Sequence, residues 1–134
     1  MTLRVLVVED EFLIATDLMD LIEEFGHIPV GPADTLESAV RFVGQSKPDI
    51  CTMDLRLRGG QSGVAVAQEM LQQFGLHSIF VSGNLDANMR PRLVELDPIA
   101  FVGKPIAPHL LHQALDLADR SLTEHRSKQK RTEQ

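Results

Sequence analysis

Two kinds of apolar segment alternate along this chain, and that alternation limits the fold more than any other feature. Short runs rich in β-branched residues appear at LRVLVV (3–8), HIPVG (27–31), DICTM (49–53), SIFVS (78–82) and IAFV (99–102). They are nearly continuous in apolar residues, as strands covered on both faces are. Between them lie stripes with helical spacing: Ile14, Leu18, Leu21, Ile22 and Phe25; Leu36, Ala39, Val40 and Val43; Val64, Ala67, Leu71 and Phe74; and Leu111, Ala114, Leu115, Ala118 and Leu122. Asp34 and Glu37 are spaced like a capping box before the second helix. Gly26 and Gly75 follow two helices as C-terminal stops. The fourth helix is interrupted by Pro91, which suits a first turn and not an interior, so the helix is expected to start near Arg90.

Strand–helix repetition of this kind predicts an α/β fold: a parallel sheet with helices on both faces. The expected architecture is a doubly wound (βα)5 sandwich of the flavodoxin-like type, with strand order 2-1-3-4-5. At 134 residues the chain suits one domain, read as 1–122, followed by a polar tail, 123–134, expected to fray. A formal net charge of -6 argues against a nucleic-acid binder. The apolar runs fall well short of the ~18 residues needed to span a bilayer, so no membrane association is expected. A single cysteine, Cys51, excludes an internal disulfide and fits a reducing cytoplasm. It is read as a packing residue, and His109, His112 and the basic tail residues as solvated.

In such a sheet, ligands bind beyond the carboxyl ends of the strands where strand order reverses, here between the first and third. Those ends carry Glu9 and Asp10 from the first strand, Asp54 from the third and Ser82 from the fourth, and Lys104 closely follows the fifth. Two carboxylates about 4 Å apart repel by roughly 4 kcal/mol at an effective dielectric of about 20. A hard divalent cation removes that cost, and magnesium favours carboxylates, water and phosphate oxygens. Acids around a metal with an ammonium opposite suit a phosphoryl group, with Ser82 donating a hydrogen bond and Asp54 placed as nucleophile. Glu11 is read as a favourable charge at a helix N-terminus instead of a ligand.

The segments VLVVEDE, DICTMDLRLRGGQSG, SIFVSGN and AFVGKPI, in that order and at those strand ends, resemble the response-regulator receiver domain over essentially the whole folded length. The resemblance implies that Asp54 is the phosphoacceptor and that Mg2+ is held by Asp10, Asp54, the backbone carbonyl of Arg56 and, often through water, Glu9. It implies that Ser82 and Lys104 contact the phosphoryl group, that Ser82 and Phe101 act as switch residues, and that the Lys104–Pro105 bond is cis. The implied partner is a sensor histidine kinase or a histidine phosphotransfer protein. Pairing of two copies through the face of helix four, strand five and helix five is a further expectation, and Leu110 and Leu117 flank the core stripe there.

The chain departs from the common pattern in three places. The loop LRLRGGQSG after Asp54 is one residue longer to its final glycine and lacks a proline, Gly83 stands where alanine is usual, and Gly103 precedes the lysine. These changes resemble a divergent subfamily with a Ser-Gly or Thr-Gly pair, and they touch the switch more than the acceptor.

The expected function is a stand-alone phosphorylation switch or relay component that is not a turnover enzyme. Three alternatives compete with it. An aspartate-nucleophile phosphatase usually has an acid two residues after the nucleophile, where Arg56 stands. A nucleotide- or flavin-binding module wants a Gly- or Ser/Thr-rich loop where Glu9, Asp10 and Glu11 stand. A pseudo-receiver lacks a site residue, and none is missing here.

Overall fold

The computed structural model describes residues 1–57, 62–83 and 90–133, with side chains described as far as residue 131. The strands are β1 (Arg4–Val8), β2 (Ile28–Ala33), β3 (Ile50–Asp54), β4 (Ser78–Ser82) and β5 (Ala100–Gly103). The helices are α1 (Phe12–Glu24), α2 (Leu36–Ser46), α3 (Gly63–Phe74), α4 (Arg90–Val94) and α5 (Pro108–Glu133). All sheet pairings are parallel, in the order β2-β1-β3-β4-β5, as the alternation requires. Every residue of β3 and β4 is buried, which accounts for their unbroken apolar runs.

Each face of the sheet carries its own core. One face buries Leu6, Val8, Met53 and Phe80 against Ala39, Val66, Met70 and Leu93. The other buries Val5, Val7, Ile79, Val81 and Val102 against Leu18, Ile22, Leu111 and Leu115. β2 is irregular: its register against β1 shifts between Leu6 and Val8. Gly31 has φ 112°, and an added Cβ there would come within 3.0 Å of the Val7 carbonyl oxygen. Only glycine takes that backbone readily at such close range.

Several expectations need correction. The capping box of α2 lies one residue later than expected. Thr35 is the N-cap and accepts from the Ser38 amide at 3.1 Å, while Ser38 Oγ accepts from the Thr35 amide. Asp34 joins by accepting from Ser38 Oγ at 3.2 Å. Val40 is exposed, and Phe42 packs on the core beside Val43.

The inward face of α3 is Gly63, Val66, Ala67 and Met70, so the helix is rotated from the expected stripe, and Phe74 is 38% exposed. Both sets have helical spacing. The close seating of Gly63 on the end of β3 decides between them. Of the tail expected to fray, 123–134, the described residues continue α5 as far as Glu133. Arg126 anchors it to Asp49 at 2.7 Å, about two turns beyond the Asp119 that accepts from the Met1 ammonium at 2.9 Å. The described part of α4, Arg90–Val94, includes Pro91; the expected start near Arg90 turns on residues 84–89, which lie outside the described residues.

The rotation of α3 is testable by urea denaturation. Met70→Ala is expected to cost about 2–5 kcal/mol, as a large-to-small change in a sealed core does. Phe74→Ala is expected to cost far less. Equal losses would restore the original stripe.

Candidate functional site

Register alone brings the chemistry together. Val8 pairs with Met53, so the next residues, Glu9 and Asp54, leave neighbouring strands side by side. Asp54 pairs with Val81, which puts Ser82 one step further along. Ser82 pairs with Gly103, and the Lys104 amide then donates to the Ser82 carbonyl at 3.1 Å. The Lys104–Pro105 bond is cis, as the resemblance implied.

Lys104 bridges two carboxylates. Its Nζ lies 2.8 Å from Glu9 Oε1 and 3.4 Å from Asp54 Oδ2. The shorter contact has hydrogen-bond length but lacks hydrogen-bond direction, so it is an ion pair, and Glu9 Oε1 is buried without a well-aimed donor among the described residues. Asp54 also accepts from the Arg56 amide at 3.2 Å, and Glu9 accepts from the Glu11 amide at 3.3 Å. Glu9, Asp54 and Ser82 are buried, and Asp10 is half-buried. A cleft of about 170 Å³ opens over this floor, lined by Glu11, Asp54, Arg56, Ser82, Gly83 and Lys104.

Burial first, and the adjacent Asp54 carboxylate second, push the Glu9 pKa up from 4.5 to about 7, with Lys104 pulling the other way. For Lys104, burial disfavours the ammonium, but attraction to Glu9 and Asp54 outweighs it and raises the pKa above its ordinary value. The lysine therefore stays charged.

The site fits a small divalent cation. One oxygen from each of Glu9, Asp10 and Asp54 lies within 4.8 Å of the others, and all are hard donors. The poorly satisfied Glu9 oxygen is buried among them.

Phe101 is half-buried on β5. Its ring centroid lies 5.9 Å from that of Phe80, and the Arg90 guanidinium sits over its face at 5.5 Å. Cys51 is fully buried, and burial pushes its thiol up to about 12, which suits packing. His109 and His112 are exposed, and His112 stacks on Phe25.

Sequence reading missed three features. Phe12 and Leu13, 74% and 81% exposed, stand beside the acids at the start of α1. His27 is buried and accepts from the Leu3 amide. Gly63 approaches the Asp54 backbone closely. The glycine that ends the long loop was the one available signal for the last of these.

The order of the strands, the acids at their ends and the lysine opposite are those of a phosphoacceptor signalling module. The family profile described as the response regulator receiver domain matches residues 5–116, and the chain belongs to that family. It is a receiver domain of two-component signalling, a family whose members interact with kinases or phosphotransfer proteins. The chain is 33% identical over 109 residues to the phyllosphere-induced regulator PhyR of Methylorubrum extorquens, covering 81% of this chain and 40% of that protein. It is 29% identical over 115 residues to the transcriptional regulatory protein PdtaR of Mycobacterium tuberculosis, covering 86% and 56%. The chain thus spans about half the length of these curated relatives. Among solved structures, the signal receiver domain of a modulated diguanylate cyclase from Desulfovibrio desulfuricans superposes with a TM-score of 0.83 at 30% identity, over 93% of this chain and 99% of that one. PhyR from Brucella abortus superposes with a TM-score of 0.78 at 28% identity, over 96% and 51%. Among the described residues, no helix is long and apolar enough to cross a membrane.

The raised Glu9 pKa sets a pH dependence for the metal-free protein. Folding tightens the hold on this proton, so the contribution is fully present below pH 4.5 and lost as pH rises through about 7. Urea denaturation in EDTA is expected to show falling stability across that window in wild type, and a flatter profile in Glu9→Gln. Parallel profiles would assign the slope to other groups.

Proposed function

We propose that the chain is a phosphorylation switch whose acceptor is Asp54, supplied by a phosphohistidine on a sensor kinase or a histidine phosphotransfer protein. The observation that carries this reading is the buried Asp54 carboxylate at the floor of an open cleft, 3.4 Å from the Lys104 ammonium and grouped with two further acids.

An Asp54 oxygen forms the new bond to phosphorus. The phosphorus–nitrogen bond of the donor breaks, its electron pair returns to the imidazole, and Asp54 becomes an acyl phosphate. Asp10, Asp54, Glu9 and the Arg56 carbonyl would hold Mg2+, which would supply positive charge against the acids and the transferring group. Lys104 swings its ammonium from Glu9 toward a phosphoryl oxygen, and Ser82 donates its hydroxyl to another. The burial of Glu9 and Asp54 strengthens these attractions.

Phe101 is the reporter of the modified state. The Arg90 guanidinium on α4 lies over its ring at 5.5 Å, so movement of Ser82 at the end of β4 reaches the α4–β5 face. The exposed Phe12 and Leu13 beside the cleft supply an apolar landing for the donor protein. Val94, Leu110 and Leu117, 63%, 42% and 46% exposed, suit pairing of two copies through α4, β5 and α5. The net charge of -6 favours protein partners over nucleic acid. The only chemistry in this reading is on the chain itself, namely gain and loss of its own phosphoryl group.

Incubation with acetyl phosphate and Mg2+, followed by intact-mass spectrometry, is expected to show one added phosphoryl group in wild type. Asp54→Ala and an EDTA-treated sample are expected to show none. Full modification of Asp54→Ala would remove the assignment. For self-pairing, Leu110→Asp is expected to reduce any phosphorylation-dependent rise in sedimentation coefficient. A rise equal to that of wild type would place the contact elsewhere.

A further inference from the structure

The first residue of α3 lies directly on the backbone of the acceptor. A Cβ added at Gly63 would stand 1.8 Å from the Asp54 carbonyl oxygen, 2.7 Å from its carbonyl carbon and 2.8 Å from Leu55 Cα. All three obstacles are main chain, so no rotamer change relieves them. The Gly63 amide donates to the Leu55 carbonyl at 3.1 Å, and an antiparallel bridge joins Arg56 to Ser62 one step outward. Ser62 caps α3 by accepting from the Val64 amide at 3.2 Å. The chain leaving Asp54 and the chain entering α3 therefore close on each other at one point, within one residue of the acceptor and of the Arg56 amide bonded to Asp54 Oδ1.

Further along the same face, Ala67 and Met70 are buried in the core. α3 is fixed from below and cannot easily retreat. Any displacement caused by a side chain at position 63 must go into the Asp54–Arg56 backbone.

We propose that Gly63 is a positioning residue for the phosphoacceptor site: the missing side chain lets α3 clamp the Asp54–Leu55–Arg56 backbone in the conformation that presents the Asp54 carboxylate and the Arg56 carbonyl to a divalent cation. Gly63 touches neither cation nor phosphoryl group and acts through the main chain it rests on. The inference builds on the function proposed above, and the test separates the two.

Mg2+ alone is titrated into isotope-labelled wild type, Gly63→Ala and Val66→Ala, and affinity is read from the amide shifts of Asp10, Leu55 and Arg56. Thermal stability is measured alongside. Val66→Ala opens a cavity on the same helix away from the site, and serves as the control for loss of stability alone. Gly63→Ala is expected to bind Mg2+ about tenfold or more weakly, as loss of a supporting contact to a ligand does. Val66→Ala is expected to match wild type despite a lower Tm. Wild-type affinity in Gly63→Ala overturns the proposal, as does an equal loss in Val66→Ala. Should Gly63→Ala fail to fold, the wild-type titration decides. Gly63 and Val64 amides that follow the same curve as Leu55 and Arg56 support the clamp, and amides that stay still while those move refute it. A wild type that binds no Mg2+ overturns both this inference and the proposed function, an outcome distinct from binding that ignores position 63.

Discussion

The contact on which the site depends is the ammonium of Lys104 held between Glu9 and Asp54. Without it, carboxylates from β1 and β3 would face each other in a buried space with no compensating charge, the costliest arrangement available to ionised groups. The lysine ties β5 to β1 across the two intervening strands, so the electrostatic closure of the site is also a closure of the sheet edge. Its cost shows in Glu9, whose proton is held up to about pH 7 by burial and by Asp54 even with the lysine near. A site this strained by its own charge is receptive to a cation, because binding relieves a penalty already present in the fold.

Around that contact the structure separates rigid from exposed parts. The strands that deliver the acids are buried on both faces, so their ends are fixed to within the packing tolerance of two cores. The exposed apolar groups lie outside those cores: Phe12 and Leu13 at the start of α1, and Val94, Leu110 and Leu117 on α4 and α5. Phe101 contacts both Phe80 and Arg90, its ring centroid 5.9 Å from that of Phe80 in the core and 5.5 Å from the Arg90 guanidinium. β4 and β5, which lead to Ser82 and carry Phe101, are bonded where the Lys104 amide meets the Ser82 carbonyl.

Much of this was legible in the sequence, because apolar periodicity and strand-end chemistry are local signals. Continuous β-branched runs mark the strands, and the spacing of Glu9, Asp54, Ser82 and Lys104 relative to those runs puts them at one edge of the sheet. The errors came where two local readings were equally good. Val64–Ala67–Leu71–Phe74 and Gly63–Val66–Ala67–Met70 are both helical stripes, and only the seating of Gly63 against Asp54 selects the second. Asp34–Glu37 and Thr35–Ser38 are both plausible caps, and the one that formed gives Ser38 partners in both Thr35 and Asp34. The polar end of α5 looked free because its anchors, Asp49 and Met1, are far away in the chain.

The sequence by itself determined the fold class, the strand order and the residue types at the reactive edge, since these follow from the periods of helix and strand and from right-handed connection. Tertiary structure alone decided which acid the lysine pairs with, which face α3 turns inward and how closely its first residue may approach the acceptor. Those are differences of a few ångströms between groups distant in the chain, set by the packing of whole elements, and no local pattern of residues encodes them.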